Sequence, residues 1–303
     1  MNKKELLECI RKAENAPSEI DNSVLSGFSG TKIISLLKNL AEIIVNNEKP
    51  YLEVGIYRGL TLLSVAGSVH EHEVYGIDNF AFFDKDGRNL DIIKERMNIL
   101  NIRNARIINE DFENALENLE KFIPDKKPGL YFIDGPHDYR SQLMSLLLIK
   151  QRLSDDAVIL VDDSNYRHVR QANRDFLMTN REFKLIFQAY TKAHPDNLKA
   201  DERKDAETGW WNGINVIVRD PENCFAPFFP PVLKDKKLFT NDHHIHTAMY
   251  PEAFRKYSRI TDIFASVSGK MKEKSLSGKY KSLNTYSDEL IYDNYNPSFF
   301  TNT

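Results

Sequence analysis

Acids dominate the residues of this sequence that could do chemistry. Five short apolar runs each end on a carboxylate: Glu53-Val54-Gly55, Asp78-Asn79, Glu110-Asp111, Asp134-Gly135 and Asp162-Asp163. One acid where an apolar run gives way to a loop says little, because loops are polar. Five in succession ask for a common purpose. Asp134-Gly135-Pro136-His137-Asp138-Tyr139 follows the fourth run, and Asp162-Asp163-Ser164-Asn165 follows the fifth. If these runs are adjacent parallel strands, Asp134, Asp162 and Asp163 lie side by side and repel one another unless a cation stands between them. Oxygen ligands with room for waters suit Mg²⁺, or Mn²⁺ or Ca²⁺. The competing reading has Asp138 and Asp163 as helix caps, with the acids splayed into water. Clustering of acids at a ligand cleft favours the cation.

The first run leads into Glu53-Val54-Gly55-Ile56-Tyr57-Arg58-Gly59, whose glycines permit a tight turn. The spacing is not G-x-G-x-x-G, in which the middle glycine admits a pyrophosphate. Tyr57 takes that place and would crowd a phosphate, so a cofactor without phosphates fits better. S-adenosylmethionine, a sulfonium with an amino-acid end and an adenosine, is one. Asp78, with Asn79 beside it, comes about 20 residues later, where a carboxylate accepts from both ribose hydroxyls. Asp111 can accept from the adenine amino group, with Phe112 packed on the ring. Asp111 also reads as a helix cap, and the two roles are compatible.

These positions require a parallel sheet to align them. The apolar runs at 51–54, 73–77, 105–108, 130–133 and 157–161 are short and rich in β-branched or aromatic residues. Helical stretches at 60–69, 90–100, 112–122, 139–153 and 166–179 alternate with them. Further strands are expected at 183–190 and 214–218, the last reversing after a polar segment at 191–208 to pair antiparallel at the sheet edge. The sum is a doubly wound, Rossmann-like α/β fold with a seven-stranded, mostly parallel sheet covered on both faces. Helices fill residues 1–48: Leu6, Leu7 and Ile10 share one side of the first, and Thr31 is a candidate cap for the second. The cofactor domain is expected over 49–220. A C-terminal extension over 221–303 follows, an arm for packing or for contact with a second copy of the chain. Pro221, Pro227, Pro230 and Pro231 rule out a helix or central strand there, and Phe225, Phe228 and Phe229 are expected to be buried.

On these residues the sequence resembles class I O-methyltransferases of the metal-dependent kind. It is most similar to the type 24 methyltransferase family and the related macrolide sugar O-methyltransferases. The pattern is E-x-G-x-x-x-G, an acid after the second strand, then DGPHDY and LVDDSN, and the resemblance runs from about 25 to 220. It implies that Glu53, Gly55, Tyr57 and Gly59 line the methionine part of S-adenosylmethionine, with Asp134 close by. Asp78 and Asn79 would hold the ribose, and Asp111 and Phe112 the adenine. Asp134, Asp162 and Asp163 match the metal ligands, and His137 the position of a general base in sugar-modifying relatives. Catechol-type relatives place a lysine in this neighbourhood and an Asn as third ligand; here Asp163 replaces the Asn and DGPHDYR has no lysine. The implied activity is methylation of a hydroxyl on a small molecule, a sugar or glycosylated metabolite. The alternatives are metal-free N-methylation, or a non-catalytic assembly protein that keeps the fold.

Composition narrows the partners. Lys and Arg number 41 against 44 Asp and Glu, for a net charge of −3, which leaves no footprint for nucleic acid. No run approaches the ~18 apolar residues of a membrane span, and the first residues lack a signal peptide's apolar stretch. Cys9 and Cys224 match neither a disulfide framework nor a zinc site, so a cytoplasmic protein with reduced thiols is expected. Four further features stand out. His243, His244 and His246 read as a metal site or, better, a polar loop. His168 and Arg167 read as substrate contacts or a solvated helix face. Trp210-Trp211-Asn212-Gly213 reads as a pocket wall or as packing, and the charged stretch 192–207 as a mobile lid.

Overall fold

The computed structural model describes residues 2–17, 24–232 and 295–299. Seven strands form one sheet: β1 (Tyr51–Val54), β2 (Val74–Ile77), β3 (Ala105–Ile108), β4 (Leu130–Ile133), β5 (Val158–Val161), β6 (Phe183–Ala189) and β7 (Ile214–Arg219). Their order is β3-β2-β1-β4-β5-β7-β6. All pairings are parallel except those of β7, which runs antiparallel to both neighbours. Four-residue strands with every residue buried (β1, β2, β4 and β5) are what a parallel sheet covered on both faces requires.

Helices cover both faces. On one side lie α1 (Lys3–Glu14), α2 (Thr31–Ile44), α3 (Leu60–Ser68) and α4 (Asn89–Ile99); on the other α5 (Phe112–Glu117), α6 (Tyr139–Ile149) and α7 (Arg167–Thr179). Leu6, Leu7 and Ile10 of α1 are buried in the same core as Phe132 and Leu160 of the sheet. The opposite core gathers Leu116, Leu146, Ile149, Val169 and Phe176 against Ile133 and Val161.

Several expectations are corrected. The last strand is internal, and β6 takes the edge. Both strands are buried almost throughout, β6 at every residue and β7 at all but Arg219, and each carries two polar residues, so local composition does not tell the edge strand from the internal one. Gly30, not Thr31, caps α2. A Cβ on Gly30 would lie 2.3 Å from the Gly209 carbonyl oxygen, which accepts instead from the free Lys32 amide at 3.2 Å. The stretch 112–122 divides into α5 and a 3₁₀ turn, Leu119–Lys121, and α6 stops at Ile149. The polar stretch before β7 contains a 3₁₀ turn, Pro195–Asn197, and α8 (Ala200–Glu207), tied by ion pairs of Arg203 with Glu207 and Lys192 with Glu202. Phe225 is buried and stacks on Phe299 at 5.5 Å, while Phe228 and Phe229 are half-buried against the second core. His243, His244 and His246 lie outside the described residues. Among those described, no helix is long and apolar enough to cross a membrane.

Candidate active site

The register puts the acids in line. Val54 pairs with Ile77 and Ile133, and Ile133 pairs with Val161, so β1, β2, β4 and β5 end level. The ladder continues one residue further: Gly55, Asp134 and Asp162 donate their amides to Ile77, Val54 and Ile133 at 2.8–3.0 Å. The next side chains therefore emerge together at the carboxyl edge, where open α/β sheets bind ligands.

Gly55 makes the centre of this edge possible. Its φ is +87°, and a Cβ there would stand 1.9 Å from the Asp134 carbonyl oxygen. Beside it, Asp78 closes the glycine loop. Its Oδ2 accepts from the Ile56 and Tyr57 amides at 3.0 and 2.9 Å, and its Oδ1 from Phe80 at 2.7 Å. Three of a carboxylate's roughly four acceptor sites are thereby used, leaving room for one ribose hydroxyl rather than two. Glu53 is fully buried beneath the loop, accepting from Tyr51 at 2.7 Å and from Thr61. Burial pushes its carboxyl up to about 8, against the lowering effect of those two hydroxyls. Sequence reasoning missed Tyr51 and Thr61, whose only signal was their place on β1 and α3.

Beyond β3, Asp111 caps α5, accepting from the Glu113 and Asn114 amides at 3.0 and 3.3 Å. Phe112 is half-buried against the second core, and Asn79 is exposed, accepting from the Ala81 amide at 3.0 Å. Asp138 is a cap as well, of α6, through Ser141.

The carboxylates beyond β4 and β5 meet, with His137 between them. Asp134, His137 and Asp163 present ligand atoms all within 4.8 Å of one another. His137 Nε2 lies 2.6 Å from Asp163 Oδ2. Burial would lower the His137 imidazole, but the Asp163 carboxylate outweighs this and raises it. Burial would likewise raise Asp163, yet His137 and a hydrogen bond from Asn212 hold it below the usual carboxylate range. Asp163 is the third ligand expected from the sequence; Asp162 is not in this group. Asp162 Oδ1 accepts from the Asp163 amide at 2.8 Å, while its Oδ2 is buried without a hydrogen bond. Burial, and then the neighbouring Asp163, pushes Asp162 well above the carboxylate range. Asp134 is raised in the same way, by burial and then by Asp162 and Asp163.

Asn212 is the residue the sequence most clearly hid. It is fully buried and donates to Asp163 Oδ1 at 2.7 Å. Its backbone is pinned where Asn165 N donates to Asn212 O at 2.9 Å and Ser164 N to Gly213 O at 3.1 Å. Its only signal was its place beside the tryptophan pair. His137 stacks on Tyr166 at 5.8 Å, and Tyr166 on His168 at 5.5 Å; burial and the nearby His137 charge lower His168.

Residues 52–164 match the type 24 methyltransferase family model, described as a methyltransferase domain. This stretch is a methyltransferase domain. The match opens in β1 and closes on Ser164, so the methyltransferase domain contains the glycine loop and every strand-end acid, whereas Trp211 and Asn212 lie beyond it. Solved structures similar to the chain include the O-methyltransferase TomG from Streptomyces achromogenes in complex with SAM. It is 15% identical, with 70% of this chain and 90% of that one covered and a TM-score of 0.47. The Bacillus cereus O-methyltransferase in complex with SAH is 12% identical, with coverages of 72% and 90% and a TM-score of 0.47. The Podospora anserina methyltransferase PaMTH1, bound to SAH, is 16% identical, with coverages of 70% and 86% and a TM-score of 0.44. No curated protein matches the chain.

Proposed function

We propose that the chain is an S-adenosylmethionine-dependent O-methyltransferase for a hydroxyl on a small molecule, a sugar or glycosylated metabolite. In this reading a divalent cation is held at Asp134, His137 and Asp163. The observation that carries it is the convergence of these three residues within 4.8 Å beside Asp162, whose Oδ2 is buried and unpartnered. Carboxylates packed this closely favour a cation among them, and an orphaned buried oxygen is a costly feature unless something meets it. The donor set, two carboxylates and one imidazole, turns the preference from Mg²⁺ or Ca²⁺ towards Mn²⁺.

Bound S-adenosylmethionine supplies a methyl group on a cationic sulfur, and a bound cation lowers the pKa of a coordinated hydroxyl. The protein's residues provide alignment. Gly55 and Gly59 leave space at the end of β1, with Tyr57 between them. Asp78 locks that loop and keeps one acceptor site for the ribose, with Asn79 next to it. Glu53 supports the loop from below. Asp111 and Phe112 border the adenine. Asn212 fixes the carboxylate of Asp163.

His137 has one decisive atom. Nε2 faces Asp163, so a His137 whose Nε2 served a cation could not also be held through that atom by Asp163 as a base. The 2.6 Å contact to Asp163 favours a second, metal-free reading. In it Asp163 orients His137, and Nδ1 takes the acceptor's proton. Calorimetric titration of S-adenosylmethionine with and without Mn²⁺, followed by a screen of nucleotide-linked sugars, tests the proposal. Turnover abolished by EDTA and restored by Mn²⁺ supports the cation. An unchanged rate in EDTA selects the His137 base. Failure to bind S-adenosylmethionine at all overturns both.

A further inference from the structure

This inference rests on the methyl-transfer reading and deepens it by naming the chemistry of the acceptor. Four aromatic side chains from separate parts of the chain meet at the ligand edge of the sheet. Phe28 precedes α2, Tyr57 lies in the glycine loop, Phe83 in the loop after β2, and Trp211 just before β7. Phe28 stacks on Tyr57 with ring centres 4.9 Å apart and stands 6.2 Å from Phe83 and 6.3 Å from Trp211. Phe83 meets Tyr57 edge-on at 6.4 Å. Phe28 is 51% exposed and Phe83 76%, Tyr57 is half-buried, and Trp211 anchors the group to the core at 7% exposed. Exposed aromatics gathered at the carboxyl edge of such a sheet mark a binding surface.

The backbone gives a second, independent sign. Tyr57, Phe83 and Trp211 have φ of 45°, 58° and 51°, in the left-handed region that bulky side chains rarely adopt. Three of the four rings are thus held at a conformational cost, as happens at ligand clamps. The group also joins the two halves of the site. The Tyr57 amide donates to Asp78, and Trp211 precedes Asn212, which donates to Asp163.

We propose that Phe28, Tyr57, Phe83 and Trp211 form the wall on which the methyl acceptor lies, and that the acceptor is a six-membered ring with a hydroxyl on its edge. Its apolar face rests on the aromatic side chains while the hydroxyl reaches the acidic centre. The C–H face of a pyranose and the face of a phenol share this chemistry. A flexible acceptor does not, because the rings offer a flat surface, with Arg58 over the Tyr57 ring at 5.0 Å and His194 edge-on to Trp211 at 6.0 Å as the polar groups at its margin.

The chain has two tryptophans, so in a Trp210→Phe background Trp211 is the single reporter. Its emission is followed on titration with methyl β-D-glucopyranoside and, separately, with phenol, each with and without S-adenosylhomocysteine. One of the rings is expected to shift the emission saturably, and the one that does identifies the source. Phe28→Ala and Phe83→Ala should each weaken that ring by about tenfold while leaving S-adenosylhomocysteine affinity unchanged by calorimetry. A Trp211 signal that responds to neither ring overturns the proposal. So does a loss of S-adenosylhomocysteine affinity in both variants, which would assign the wall to adenine. If S-adenosylhomocysteine fails to bind while a ring still does, the methyl-transfer reading falls and the wall stands.

Discussion

His137 Nε2 and Asp163 Oδ2 lie 2.6 Å apart across the ends of β4 and β5, and each shifts the other's protonation towards the charged form. The contact depends on an unusual backbone. Asp163 has φ +53°, a conformation that Asp and Asn tolerate better than most residues.

Asp163→Asn therefore tests the pair without adding strain. In EDTA, the His137 imidazole followed by NMR should titrate above its ordinary 6.5 in the wild type and lower in the variant, where only Asp138 still opposes burial. The raised His137 contributes stability that is complete below 6.5 and lost as pH rises through its folded value. The lowered Asp163 contributes stability that is complete above 3.8 and lost as pH falls through its folded value. The wild type's advantage in denaturant should thus be greatest between those limits. An unshifted His137 in the wild type would contradict the pairing.

Asn212 donates to Asp163 Oδ1, so in the proposed site its effect on a cation runs through that carboxylate. Asn212→Ala is expected to weaken Mn²⁺ binding, read by electron paramagnetic resonance, by about 10–100-fold, as losing a ligand's supporting partner usually does. Asp134→Asn should weaken it further. Equal Mn²⁺ affinity in wild type and Asp134→Asn would remove the cation from this site.

Asp78 closes the glycine loop, and in the proposed function it also meets the cofactor. Asp78→Ala leaves the amides of Ile56, Tyr57 and Phe80 without their acceptor, at about 1–3 kcal/mol for an unsatisfied buried group. Urea unfolding should show that loss, and calorimetry a weaker S-adenosylhomocysteine complex. Lost stability with full affinity would leave Asp78 a purely structural residue.

Glu53 gives stability a pH slope. Its folded pKa is raised, so the folded state keeps a proton that the unfolded chain releases. Stability should fall as pH rises from the ordinary 4.5 through about 8. Glu53→Gln cannot ionise and should gain on the wild type across that interval, on the order of a few kcal/mol by the top of it. Urea midpoints at several pH values measure this, and parallel curves would show that Glu53 keeps an ordinary pKa.

The sequence alone determined the alternation of strands and helices, because burial on both faces forces short, mostly apolar strands whose limits are visible. It also determined that an acid stands at the carboxyl end of five of those strands, Glu53 within β1 and the others just past β2, β3, β4 and β5. What it could not determine is which atoms face one another. The internal position of β7, the approach of Asn212 to Asp163, and the convergence of His137 with Asp134 and Asp163 join residues distant in sequence, or turn on which way adjacent side chains point. The same holds for the meeting of Phe28, Tyr57, Phe83 and Trp211. Local periodicity carries no record of such contacts. They depend on strand order, on the level register of the sheet and on a left-handed turn at Asp163, and those are settled only when the whole core packs.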